Sequence, residues 1–245
     1  MSIRILFSKI QRKHVFEGIL VLALILIGTL AYQITHLEKT IFRNEDRTLA
    51  RIQVLDAGIT SEMKRRQYLL GARDIIMQEA KIRKVKKMTV EIAFQIAEAN
   101  ILAAEKYGVD PTLILAIQRR ESCFDTSSLS CMGAMGHNQI MEGTARLLCR
   151  ILNWEYTPEL TKDIYKGTEL ATLLVQTLQA VYIKYKNMNE LIVVAYNAGP
   201  RAAEKYRQTG ELPDETRIYL PDVMKYYREY QSTIGMYWVS SKSGS

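Results

Sequence analysis

The chain has 245 residues and is 48% hydrophobic, which suits one ordinary domain plus accessory segments and excludes wholesale disorder. Only five Pro and thirteen Gly stand among many Ala, Leu, Ile, Glu and Lys, so helix is favoured over sheet. The net charge of +7 suits a polyanionic neighbour, but there is no zinc-finger spacing, phosphate-binding glycine loop or basic-aromatic RNA signature, so nucleic acid is not an expected partner.

Residues 1–14 carry Arg4, Lys9, Arg12 and Lys13 and no acid. Gly18 to Thr35 is uncharged, and Ile19 to Ile27 is almost pure Leu, Ile, Val and Ala. That length reaches the short end of a membrane span, so residues 15–35 are expected to be a transmembrane anchor behind a basic N-terminus. A cleaved signal peptide is the alternative: Thr29-Leu30-Ala31 reads as a cleavage site, though Tyr32 and Gln33 continue without a break. Lys39, Arg43, Arg47 and Arg51 follow the apolar stretch, so flanking charge does not fix its orientation.

Residues 36–88 read as a charged helical connector. Ile52, Leu55, Ile59 and Met63 recur at helical spacing, followed by Leu69, Leu70, Ile75 and Ile76, with Gly58 and Gly71 as interruptions. The run from Lys81 to Lys87 is the most basic part of the chain; it reads either as a solvated helix face or as a contact to anionic headgroups or acidic polymer. A compact domain is expected over 89–239, with a polar tail at 240–245. Ile92, Ile96, Ala99, Ala103 and Tyr107 mark its first helical face, and Gly108 is a C-terminal stop. Asp110-Pro111 starts the next helix, which should end near Ser122. Further helices are expected near 141–153, 161–187, 188–197, 200–208 and 215–232, and no run competes for strand, so the fold class is all-α.

Cys123, Cys131 and Cys149 have no metal-ligand spacing with His, so neither metal nor cofactor is expected. In an oxidising compartment Cys123 and Cys131 could close a loop as a disulfide; the alternative is three small, mostly buried thiols.

Chemistry concentrates between Glu121 and Thr144. Glu121 continues the row of Ile114 and Ile117, so its carboxyl should point inward, where burial and the negative helix end raise a carboxyl pKa while Arg119 and Arg120 oppose. A carboxyl kept protonated near neutrality can serve as a general acid. Gly133-Ala-Met-Gly136 permits close backbone approach, Gln139 follows, and Met141 offers a soft apolar wall. Ala195-Tyr-Asn-Ala-Gly-Pro200 supplies a flat ring at Tyr196 and an amide at Asn197, and Glu215 and Tyr219 bring a further acid and phenol.

In this order the motifs resemble the soluble lytic transglycosylase family, over roughly residues 88–232. The resemblance rests on Glu121-Ser122 with Phe124, on Ser130 before Gly133-Ala134-Met135-Gly136, and on Gln139-Ile140-Met141 with Thr144. It continues through Ala195–Pro200 and Glu215-Thr216 with Tyr219. His137-Asn138 stands where the family usually has Leu-Met, and Glu142 where it has Pro; the polar pair is expected to make one cleft wall more polar.

The resemblance implies a goose-type lysozyme-like fold and cleavage of the β-1,4 bond between N-acetylmuramic acid and N-acetylglucosamine in peptidoglycan, leaving 1,6-anhydro ends. Glu121 would be the single acid and base, with Ser130, Gln139, Met141, Tyr196, Asn197, Glu215 and Tyr219 binding the glycan strand. Asp125 and Asp214 are other nearby acids without a marked role. A single-pass protein of the bacterial inner membrane, its domain facing the wall, follows from the same reading. A hydrolytic muramidase on this fold and a non-catalytic glycan-binding scaffold are the alternatives. Housekeeping turnover, or wall opening for an envelope-spanning secretion machine or phage assembly, would each suit an anchored enzyme.

Overall fold

The computed structural model describes the backbone of residues 3–238 and the side chains of residues 26–238. Eight α-helices run in chain order among the described residues: α1 (Ile3–Ile82), α2 (Val90–Tyr107), α3 (Pro111–Glu121), α4 (Glu142–Leu152), α5 (Ile164–Tyr182), α6 (Met188–Ala198), α7 (Pro200–Thr209) and α8 (Asp214–Thr233). Short 3-10 turns occupy Pro158–Thr161 and Gly235–Tyr237. The described residues contain no strand, only isolated bridges in the loop after α3.

The chain divides into two compact units, residues 1–60 and 61–245. In the first, every described side chain is exposed, including Ile52, Leu55 and Ile59. The apolar row read from the connector sequence is therefore not a core face up to Met63, which is exposed as well. Among the described residues no helix is long and apolar enough to cross a membrane. The expected anchor at 15–35 lies in large part over residues 15–25, outside the described side chains.

The second unit begins well before the boundary expected at residue 89. The last turns of α1 bury Tyr68, Leu69, Ala72 and Ile76 in the same cluster as α3 and α6. Gly71, which reads in the sequence as a mere interruption, is needed here: a Cβ would sit 2.4 Å from Ile234 Cγ2. The end of α1 belongs to the packed domain because its alternation of Tyr, Leu, Ala and Ile supplies a face that α2 and α3 alone leave open.

Local signals account for the boundaries. Thr89 accepts the Ile92 N–H as N-cap of α2, and Gly108 ends it in the left-handed region at φ 65°. The single helix expected at 161–187 is shorter, because Asp163 caps α5 by accepting from Lys166 N–H and the helix closes at Tyr182. α2 lies along α5 and α3 along α8, while α6 sits among α5, α7 and α8. The Leu191–Ala195 stretch of α6 is buried all round, as an apolar run without a polar face must be. A smaller cluster joins α4 to α5 through Ile140, Leu148, Leu170 and Leu173.

Removing residues 61–87 is expected to cost on the order of 5 kcal/mol or more in apolar burial, comparable with the whole stability of a small domain. A fragment of residues 88–245 should therefore lose the cooperative urea transition that a fragment of residues 61–245 retains.

Candidate active site

Helix α3 is fixed at its start. Asp110 accepts from Thr112 N–H at 2.9 Å and from Tyr227 O–H at 2.9 Å, and it also receives Gln231 of α8. The helix then delivers Glu121 as its last residue. Behind it, Cys123 and Phe124 take φ of 54° and 67° without being glycine, a left-handed pair costing about 1 kcal/mol or more each. Packing enforces the turn: Phe124 is fully buried, and Cys123 Sγ–H donates to the Glu79 carbonyl at 3.4 Å. Cys123, Cys131 and Cys149 are all free thiols, so the disulfide considered for the loop does not form; Cys123 is buried and Cys131 exposed.

Glu121 accepts a hydrogen bond from Tyr219 O–H at 2.5 Å. Its pKa is pushed up to about 7, chiefly by burial and further by the charge of Glu215, while the Tyr219 bond and the Arg120 guanidinium pull it down. The residue is only part-buried by area, so the carboxyl is largely dry yet still reaches a cavity. Both neighbouring arginines are held by other acids. Arg120 pairs with Asp222 at 3.1 Å, and Arg119 pairs with Glu79 at 2.6 Å while lying 4.7 Å over the Tyr226 ring.

The other expected site residues divide. Tyr219 binds Glu121 directly and is buried, so it positions the acid from behind. Tyr196 lies close enough for the Glu121 charge, after burial, to raise its phenol, and its O–H donates to the Asn138 carbonyl at 2.8 Å. Asn197 Oδ1 accepts from Thr216 O–H at 2.7 Å, which orients the amide and leaves Nδ2 outside that bond. Glu215 is exposed in the first turn of α8. Ser130 and Gln139 are engaged within their own loop: Ser130 Oγ accepts from Ala134 N–H at 2.9 Å, and Gln139 Nε2 donates to the Gly136 carbonyl at 2.8 Å. Met141 is exposed at the start of α4. Gly136 is required, since its φ is +75° and a Cβ would stand 2.1 Å from the Thr161 carbonyl oxygen.

His137 and Asn138 do not form a polar cleft wall as expected; both are fully buried beneath the site. Asn138 Oδ1 accepts from Gln118 Nε2 at 2.8 Å, and Gln118 pairs reciprocally with Asn100 at 2.8 and 3.1 Å. His137 Nε2 meets Thr168 Oγ1 at 2.8 Å and Asn138 Nδ2 at 3.0 Å. Burial then drives the ring pKa down to about 4, so it is neutral. The pair points inward because partners on α3 and α5 engage the Asn138 amide and His137 Nε2 there, as buried amides require. Glu142 pairs with Arg146 at 2.7 Å in the first turn of α4, a favourable place for an acid. Both departures from the family pattern are thus accounted for structurally.

A cavity of about 810 Å³ opens beside Glu121, and among the expected site residues only Glu121 lines it. Arg83, Lys84, Val85, Lys86 and Lys87 line it as well. The composition of this run marks it as basic but gives no sign that it lines the same cavity as the acid.

The described domain is thus all-helical and built around a largely buried carboxyl of raised pKa. Residues 98–218 match the family model described as Transglycosylase SLT domain, so this part of the chain is similar to that family. It is 30% identical over 141 residues to a Haemophilus influenzae protein assigned by name to the soluble lytic murein transglycosylases, covering 53% of this chain and 23% of that one. Membrane-bound lytic murein transglycosylase C of Edwardsiella ictaluri is 32% identical over 104 residues, 40% of this chain and 29% of its own. The chain thus spans only about a quarter of the length of these relatives. The X-ray structure of an inactive mutant of lytic transglycosylase Slt from Pseudomonas aeruginosa shares the fold, with a TM-score of 0.51 at 23% identity over 56% of this chain and 24% of that one.

Glu121 and His137 make opposite contributions to stability against pH. The Glu121 pKa is raised from 4.5 to about 7, so its contribution is full below 4.5 and is lost as pH rises through 7. The His137 pKa is lowered from 6.5 to about 4, so its contribution is full above 6.5 and is lost as pH falls through 4. Each is on the order of 3 kcal/mol, and they nearly cancel between 4.5 and 6.5. Urea titrations should therefore be flat for the natural chain in that window. Glu121→Gln should expose a fall toward acid, and His137→Leu with Asn138→Met a fall toward base.

Proposed function

We propose that this protein is a peptidoglycan lytic transglycosylase that cleaves the β-1,4 bond between N-acetylmuramic acid and N-acetylglucosamine, with Glu121 as both acid and base. The observation that carries this is the Glu121 carboxyl, pushed up to about 7 at the end of α3 and held by Tyr219. Near neutrality a substantial fraction of it is protonated, as an acid that protonates a glycosidic oxygen must be.

The steps balance with one carboxyl. Glu121 donates its proton to the bridging oxygen as the C–O bond breaks, and the substrate's own N-acetyl carbonyl oxygen bonds to the anomeric carbon. The ionised Glu121 then takes the proton of the C6 hydroxyl, whose oxygen displaces the acetamide and closes the 1,6-anhydro ring. No water is consumed, and Glu121 ends protonated. A two-carboxylate glycosidase would need a second acid at a fixed separation. Asp222 is bound to Arg120 and Asp125 to Ser127, which supports the single-carboxyl route. Asn197 Nδ2 and the Tyr196 ring are assigned to the acetamido sugar, Glu215 and Met141 to the open side of the groove, and Ser130 and Gln139 to holding the loop that shapes it.

The family relatives' names place them on murein, and one is named membrane-bound. We assign this chain by the same logic to the cell envelope, anchored by residues 15–35 with the domain on the wall side.

The test is mass spectrometry of peptidoglycan digested by the full chain beside Glu121→Gln. Anhydromuropeptides that vanish with Glu121→Gln are expected. Reducing ends would make it a hydrolase, and no product from a folded chain that binds glycan would make it a binding protein. The kcat/KM should fall as pH rises through about 7. Tyr219→Phe removes a bond to the ionised form, so it should shift that fall to higher pH and lower kcat by about tenfold or more.

A further inference from the structure

We propose that the basic run Arg83, Lys84, Lys86 and Lys87 forms a carboxylate-binding extension of the Glu121 cleft that takes the peptide stems of the glycan strand. This rests on the peptidoglycan reading above and names a part of the substrate it leaves unassigned. The run lies outside the matched family domain, which starts at residue 98.

The cavity supplies the geometry. Glu121 and the four cations line the same cavity of roughly 810 Å³. Among the described residues none of the four has an acidic partner within 4.0 Å. The acids of the cavity are otherwise engaged: Asp222 holds Arg120, and Asp125 accepts from Ser127 N–H and O–H at 2.9 and 2.7 Å. Arg119 and Arg120 are neutralised in pairs, which leaves the four cations of the run against Asp125 and the partly ionised Glu121, so the excess charge of the cavity is positive. Unpaired cations in a concave site concentrate the field and draw in anions.

The run is also held in place. Val85 N–H donates to the Ala80 carbonyl at 2.9 Å and Lys84 N–H to the Lys81 carbonyl at 3.2 Å, closing the end of α1. Lys84 takes the left-handed position of that closure at φ 57°, where glycine would be less strained. A lysine at this place puts a cation at the cleft at some expense in backbone energy.

Anionic recognition beside a sugar-cleaving acid has one natural target on the proposed substrate. N-acetylglucosamine is neutral, the lactyl carboxyl of the muramoyl unit is tied up as the amide to the peptide, and the charge of the strand resides on the carboxylates of that peptide, borne by the muramoyl unit adjoining the bond to be broken. Cations facing the Glu121 cavity therefore fit the stem of that unit better than a membrane surface.

The experiment measures kcat/KM of the full chain on peptide-bearing glycan strands and on strands stripped of peptide by an amidase, which keep only the lactyl carboxylate in place of the carboxylates of the stem. Three proteins are compared: the natural chain, the variant Arg83→Gln/Lys84→Gln/Lys86→Gln/Lys87→Gln, and the charge-keeping variant Arg83→Lys/Lys86→Arg/Lys87→Arg. The natural chain should prefer peptide-bearing strands. The neutral variant should lower that ratio by about tenfold, the charge-keeping variant should retain it, and added salt should erode it. An equal loss on both strands, or no loss, overturns the proposal. So does an unchanged ratio with loss of binding to phosphatidylglycerol vesicles, which would make the run a membrane contact. A natural chain that cleaves both strands equally keeps the peptidoglycan reading and removes this one; a natural chain that cleaves neither removes both.

Discussion

Much of this domain is organised around keeping one ionisable carboxyl mostly out of water. Glu121 sits at the negative end of α3, where both burial and the helix dipole oppose its charge. The structure tempers that with a single O–H donor from Tyr219 and with an arginine restrained by Asp222. A stronger cation beside the carboxyl would hold it ionised. Complete burial would hide it from any substrate. The pKa of about 7 reflects a balance of burial at the end of α3 and the charge of Glu215 on α8 against the opposing effects of Tyr219 and Arg120.

Beneath the acid lies a layer of amides rather than hydrocarbon. Asn100, Gln118, Asn138 and His137 bond to one another and to Thr168, while the backbone carbonyls of His137 and Asn138 receive Ser122 and Tyr196. The same pair of residues thus satisfies a buried network through its side chains and fixes the Glu121–Ser122 corner and the Tyr196 ring through its backbone. Such a network specifies one arrangement, because any slip leaves a buried amide without a partner. The His137 Nδ1 has no protein partner, which marks the residue whose protonation would disturb the layer first.

Helix α1 has two distinct parts. Up to residue 60 it presents only exposed described side chains; beyond that it is part of the domain core, and Glu79 holds Arg119 two residues before Glu121. The closure after Ile82 then carries the basic run to the cavity. A segment that looks like a spacer therefore supports the acid and borders its cleft.

The helices were legible from sequence because their signals are local. Thr89, Gly108 and Asp110-Pro111 mark ends by capping chemistry, and α6 declares itself buried by an uninterrupted apolar run. Glu121 was legible as well, since its place in the row of Ile114 and Ile117 turns it inward. What sequence could not provide was anything that depends on partners distant in the chain. The inward turn of His137 and Asn138 depends on Gln118 and Thr168, the role of Gly71 on Ile234, and the setting of the basic run on the fold of the α3 loop. Caps and periodicity are written within a few residues, whereas burial of a polar group or the facing of a charge is decided by which surfaces meet.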